Sequence, residues 1–230
     1  MIRFAVLVVL MVAAVVIPAP TALAQVLGPT LDNGDAELGY TYKYYHRDLE
    51  PKLTPETKWE VGSFYFRYGA YDWVTLMLEL GLWSINHEEF PEHNYTRYTV
   101  GGGVSVRLWK YRGVRLSALG QYSEVRDYDK SDLHFHHRTR NVTAGVQAEH
   151  SFWLRKQRLA LWGALLYVYD DARTYLWGTQ STLQFESQNN VGVGAGADLL
   201  LFDVVGGFAH LVYADYVQAR LGVMLRVSEL

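Results

Sequence analysis

The chain has 230 residues, with 21 basic and 24 acidic side chains, a formal net charge of −3 and no cysteine. Lacking thiols, it has no disulfide framework, thiolate metal site or cysteine nucleophile, and its balanced charge argues against a nucleic-acid partner. The 17 Tyr, 7 Trp, 9 Phe and 20 Gly, beside only 6 Pro, suit twisted sheet and, for Tyr and Trp, a membrane–water boundary.

Taken in chain order, the first segment stands apart. Arg3 is followed by an apolar run from Phe4 to Ile17, then Pro18 and Pro20, then Ala22-Leu23-Ala24. This is the layout of a secretory signal peptide over residues 1–24, cleaved after Ala24. The run is short for a spanning helix, and the prolines would break its end. Residues 25–35 read as a periplasmic lead, and residues 36–230 as one domain.

From residue 36 the apolar residues recur with a period of two, the mark of extended strand, because successive side chains point to opposite faces. "AELGYTYKYY" sets Leu38, Tyr40, Tyr42 and Tyr44 against Glu37, Gly39, Thr41 and Lys43. "WVTLMLELGLW" sets Val74, Leu76, Leu78, Leu80 and Leu82 against Thr75, Met77, Glu79 and Gly81. In "TRYTVGGGVSVRLW", Tyr98, Val100, Gly102, Val104, Val106 and Leu108 oppose a set running from Arg97 through Thr99, Ser105 and Arg107 to Trp109. The stretches 113–123, 141–154, 190–201 and 217–227 alternate in the same way, with Arg115, Glu149, Asp198, Arg220 and Arg226 on their polar faces. Residues 58–68 and 158–169 are strand-like but carry aromatics on both faces, and 205–213 is short; all three supply pairing partners their neighbours need.

Ten strands result, with eight or twelve as the alternatives. The connections sort by length. "GAYD", "KYRG", "RKQ" and "FDV" are turn-like, whereas residues 46–57, 86–94, 127–137 and 170–187 are longer and polar, with "ADY" at 214–216 a short exception. Short turns at one end and long loops at the other predict an all-β, up-and-down antiparallel transmembrane barrel, with both chain ends on the short-turn, periplasmic side.

Alternation alone does not say which face is apolar because it meets lipid. A secreted soluble barrel holding an apolar ligand would alternate too. The polar face, however, is rich in Gly, Ser and Thr with scattered charges, unlike a water-exposed exterior. The strand lengths match a tilted span of hydrocarbon. Tyr44, Trp73, Trp83, Tyr98, Trp109, Tyr122, Trp153 and Tyr169 near strand ends suggest an aromatic girdle. Residues 36–227 resemble, as an architecture, the small outer-membrane β-barrels of Gram-negative bacteria. That resemblance implies an outer-membrane location, contact with lipid and lipopolysaccharide, and insertion by the barrel assembly machinery. The chain departs from many such barrels in ending on Leu230 rather than an aromatic residue.

The inward set carries both signs: Glu37, Lys43, Glu79, Arg97, Arg107, Arg115, Glu149, Asp198, Arg220 and Arg226. Buried charges must pair or stay wet, so the interior is either salt-bridged and closed, the favoured expectation, or a narrow porin-like constriction for small solutes. Arg126, Arg138 and Arg140 near the outer rim are candidates for lipopolysaccharide phosphate. His134, His136 and His137, with Asp129 and Asp132, are weak metal candidates whose spacing matches no closed site. A rim hydrolase (protease or lipid A-modifying) would draw on Asp170 and Asp171 with His134 or His87. His150 and Ser151 are sequence neighbours on opposite faces and form no dyad. The long loop carrying Tyr175, Leu176 and Trp177 offers an apolar tip for a surface partner. The expectation is a non-enzymatic barrel without a cofactor.

Overall fold

A computed structural model describes residues 28–47, 57–87, 95–126, 135–176, 181–186, 190–214 and 217–228. It contains β1 (Ala36–Arg47), β2 (Thr57–Tyr71), β3 (Val74–His87), β4 (Tyr95–Tyr111), β5 (Val114–Arg126), β6 (Phe135–Leu154), β7 (Gln157–Leu176), β8 (Ser181–Glu186), β9 (Val191–Leu201), β10 (Val205–Tyr213) and β11 (Val217–Val227). All strands except β8 pair in chain order, each antiparallel to the next, and β1 closes on β11 from Ala36↔Val227 to His46↔Val217. The result is a closed ten-strand up-and-down barrel. Closure leaves no edge strand within the ten-strand ladder whose N–H and C=O groups lack partners, the condition for strands to cross a bilayer; the short β8 lies outside that ladder. Among the described residues no helix is long and apolar enough to span a membrane.

Two expectations are corrected. The stretch 170–187 is not wholly loop: β7 runs on to Leu176 and pairs there with the short β8, from Asp171↔Glu186 to Leu176↔Ser181, while its lower part pairs with β9. Weak alternation hid this excursion. Trp109, which strict alternation puts on the polar face, lies outside at 51% exposure. Between Arg107↔Ser117 and Trp109↔Leu116 the pairing gains a residue. Such a bulge inverts the facing of everything beyond it.

Short turns close the hairpins at Asp72–Trp73, Arg112–Gly113, Arg155–Lys156 and residues 202–204. At the second, Arg112 (φ 48°) and Gly113 (φ 82°) both take the left-handed region, the pairing whose twist matches a two-residue hairpin.

The facing follows the sequence pattern. Leu76, Leu78, Leu80 and Leu82 are 45–49% exposed, whereas Thr75, Met77 and Glu79 between them are at most 3% exposed. Leu38, Val146, Leu165, Val193, Leu221 and Val223 are likewise outside. Around the short-turn end Tyr71, Trp73, Tyr111, Trp153 and Phe202 are exposed. A water-soluble barrel would put these aliphatics inward. Here the interior holds ions and amides, which removes the soluble barrel with an apolar cavity.

Candidate functional site

The lumen is the only place where this fold gathers chemistry-bearing side chains among the described residues. At mid-height β1 supplies Lys43 and β3 supplies Glu79, both fully buried. Lys43 Nζ donates to Glu79 Oε1, which also accepts from Ser63 Oγ of β2. Arg220 of β11 stands directly across from Lys43 in the ladder. Its Nε donates to Thr41 Oγ1 at 2.9 Å, and its guanidinium lies over the rings of Phe208 (5.1 Å) and Tyr65 (5.5 Å). Ion pairing and ring faces together offset the desolvation of these charges.

Inward aromatics fill the space beside this ion cluster, each opposite a glycine. Tyr65 pairs with Gly39, Phe208 with Gly222 and Trp162 with Gly196. A Cβ on any of these glycines would collide with the facing ring. The rings therefore lie across their neighbouring strands because those strands present no side chain, an arrangement known to protect glycine in sheets. Tyr65, Met77, Leu200, Phe208 and Met224 form one buried apolar cluster; Leu119, Trp162, Leu166, Val168 and Val212 form much of a second. Between Phe208 and Trp162 sits His210, whose Nε2 is 2.6 Å from Asp198 Oδ1. This His–Asp pair is buried in the packing, and its Nδ1 meets no hydrogen-bond partner among the described residues.

The lower lumen is filled by the chain itself. Residues 28–35 turn back at Asn33–Gly34 and run up inside the barrel from the short-turn end, where the sequence reading expected only a periplasmic lead. Gly28 through Leu31 are buried. Gln147 grips Gly28 twice, Nε2 donating to its carbonyl at 2.8 Å and Oε1 accepting its N–H at 3.2 Å. Thr30 N–H donates to Glu149 Oε2 (3.0 Å) and Leu31 N–H to Thr75 Oγ1 (2.9 Å). Arg115 donates to the Thr30 carbonyl at 2.8 Å, and Arg67 to the Pro29 carbonyl. Asp32 sits between Arg107 (3.0 Å) and Arg115 (3.4 Å), and Asp35 pairs with Arg226. Burial works to raise the Asp32 carboxyl, but Arg115, Arg107 and Lys110 outweigh it and hold the group below the usual carboxylate range. Gly69 makes room for the turn, since a Cβ there would strike the Asp32 carbonyl.

Of the sequence-predicted lumen charges, Glu37, Lys43, Glu79, Arg107, Arg115, Glu149, Asp198, Arg220 and Arg226 all point inward. Glu37 meets Arg67 at 3.1 Å, and Glu149 meets Arg115 at 3.5 Å. The Arg97 side chain lies outside the described residues. Sequence reasoning missed Arg67 and Arg158, which sit on strands with aromatics on both faces, His210, which sits on the short β10, and Asp32 and Asp35, which precede the first strand. Of the outer-rim trio, Arg140 faces Glu124 at 3.8 Å; the Arg126 and Arg138 side chains are outside the described residues. So are His134 and the side chains of His87, His136, His137 and Asp170. Asp171 is buried. The described residues contain no group of three His, Asp or Glu able to hold a metal. The His150 ring lies edge-on to Phe152 at 4.3 Å, while Ser151 Oγ accepts from Arg158, so these neighbours form no dyad.

No protein-family model and no curated protein matches the chain. Among solved structures, similarity is found to the attachment invasion locus protein Ail of Yersinia pestis (10% identity, 85% of this chain and 99% of that chain, TM-score 0.43). An outer membrane channel from Pseudomonas putida F1 is similar at 11% identity over 89% of this chain and 100% of that chain (TM-score 0.45). The translocator domain of the Neisseria meningitidis autotransporter NalP is similar at 13% identity over 85% and 90% (TM-score 0.44). The barrel is established by its own strand ladder, and likeness at this level assigns no activity to the chain.

Proposed function

We propose that this chain is a non-enzymatic outer-membrane β-barrel with a closed, charge-paired interior, serving a structural or surface-binding role rather than conducting solutes. One observation carries the reading: among the described residues the lumen is occupied in its short-turn half and across its middle. Residues 28–35 fill the short-turn half, and the Lys43–Glu79–Arg220 cluster with Tyr65, Phe208 and Trp162 fills the middle. An open constriction needs a wet path, and these side chains and the segment stand in it.

The exterior supports the membrane assignment. Aliphatics cover the outward face, and polar groups are kept for the inside, the inverse of a soluble protein and the pattern of strand barrels in lipid. In this reading Tyr71, Trp73, Tyr111 and Trp153 lie at the periplasmic interface. The partners are bilayer lipid and lipopolysaccharide, and the barrel assembly machinery acts during insertion. A cleaved signal peptide over residues 1–24 would deliver the chain. Purified full-length protein in planar bilayers tests the closed lumen: no discrete current steps are expected, and regular steps of single-channel size would replace this reading with the narrow channel.

A further inference from the structure

Residues 28–35 are held as a ligand is held, not as a strand is. Among the described residues, their only main-chain bonds to the barrel are between Gly34, Asp35 and Gly69, at the hinge where the segment enters. Most other described contacts run from a lumen side chain to the segment's main chain or carboxylates; Arg107 also donates to the Thr30 hydroxyl at 3.3 Å, and at the turn the Asn33 N–H donates to Asp72 Oδ1 at 3.3 Å. The amide of Gln147 and the ions Glu149, Arg115 and Arg67, all under 9% exposed, read N–H and C=O groups at Gly28, Pro29 and Thr30. Such contacts recognise an extended backbone whatever its side chains, as strand-addition sites do. Selectivity then lies in two carboxylates, one for Arg107 and Arg115 and one for Arg226.

Charge supports the same view. Arg67, Arg107, Arg115, Arg158 and Arg226 face this lower chamber. The strands return only Glu37, Glu149 and Asp198, and the deficit is made up by Asp32 and Asp35 of the segment. Beside Pro29 is a small void of about 20 Å³, lined by Glu37, Arg158, Asp198, Leu200 and Arg226.

We infer that the short-turn end of the barrel is a peptide-binding socket, occupied in cis by residues 28–35, which takes an extended peptide of another chain when that segment is withdrawn. The peptide it fits carries a small residue where Gly28 lies and carboxylates four and seven positions further on. The inference stands on the lumen contacts and does not depend on whether the barrel conducts.

The test uses the full chain with its segment displaced. The double variant Asp32→Lys, Asp35→Lys sets lysines against Arg107, Arg115 and Arg226. A second variant, Gly28→Leu, changes no charge and no strand, but φ there is +121°, which strains any L side chain, and its Cβ would already crowd Asp198 Oδ2 at 3.1 Å and Arg67 at 3.4 Å. A labelled synthetic peptide GPTLDNGD is titrated against each variant, folded in detergent, and followed by fluorescence anisotropy. Saturable binding to either displaced variant is expected. Binding to the unaltered protein should be roughly a hundredfold weaker, because the tethered segment competes at an effective concentration on the order of millimolar. A peptide with both aspartates replaced by lysine should not bind. The inference is overturned if folded displaced variants leave GPTLDNGD free, if the lysine peptide binds as well, or if the unaltered protein binds equally.

Discussion

Removing the Lys43 ammonium should be among the most damaging single changes in this barrel. Lys43 and Glu79 are both 0% exposed, and Glu79 Oε1 takes Lys43 Nζ and Ser63 Oγ together. Lys43→Met keeps most of the side-chain volume but leaves a carboxylate deep in the lumen with a hydroxyl as its remaining described partner. Losing one member of such a pair costs about 3–5 kcal/mol, whereas replacing both by apolar groups of similar size is often neutral. The double variant Lys43→Met, Glu79→Met should therefore recover most of the loss, despite carrying twice the change. Urea unfolding in lipid vesicles, followed by tryptophan fluorescence, measures the cycle, since Trp162 is buried in the lumen and Trp73, Trp109 and Trp153 face outward. If Lys43→Met costs less than about 1 kcal/mol, or if the double variant is as unstable as the single one, the pair is not the mutual compensation argued here.

Leu80→Arg puts a charge on the outward face near mid-height and should cost about 2–4 kcal/mol in vesicles, the penalty for arginine at the midplane of a strand barrel; unchanged stability would argue against lipid on that face. Gly222→Val places methyl groups against the Phe208 ring and the Tyr40 carbonyl and should cost about 1–3 kcal/mol, the range for overpacking. Adding Phe208→Ala should relieve part of that loss, and full additivity would deny that ring and glycine are fitted to each other. Docking of residues 28–35 should depend on pH through Asp32. Its folded carboxyl titrates below the ordinary 3.8, so its contribution is fully present above that value and is lost as pH falls through the lower folded value. Hydrogen exchange at the Thr30 and Leu31 amides, bonded to Glu149 and Thr75, should accelerate in that acid range, while the β1–β11 ladder stays protected.

The strands were legible because a half-buried strand writes its facing directly into the sequence, with period two. Leu76, Leu78, Leu80 and Leu82 could only share a face, and their glycine-, threonine- and ion-bearing neighbours could only share the other. From that, the barrel, its hairpin turns and most of its inward charges followed. The alternation failed where both faces carry aromatics, as in β2 and β7, because there the inward positions are filled by rings lying over glycines of other strands. Tyr65 over Gly39 and Trp162 over Gly196 are cross-strand relations with no local signature. A bulge at Arg107–Trp109 inverted one tryptophan for the same reason, since an extra residue changes facing without changing composition.

Pairing among the charges belonged to the tertiary structure alone. Lys43 and Glu79 are 36 residues apart, Gly28 and Gln147 are 119 apart, and Arg226 and Asp35 are 191 apart. Only the pairing of the strands into a closed sheet brings all of them within reach. The sequence by itself determined a lipid-facing strand barrel with ions inside, because patterning against lipid and water is local. What fills the short-turn half of that interior was decided by where residues 28–35 go, and an irregular octapeptide with no periodicity carries its destination only in the side chains that receive it.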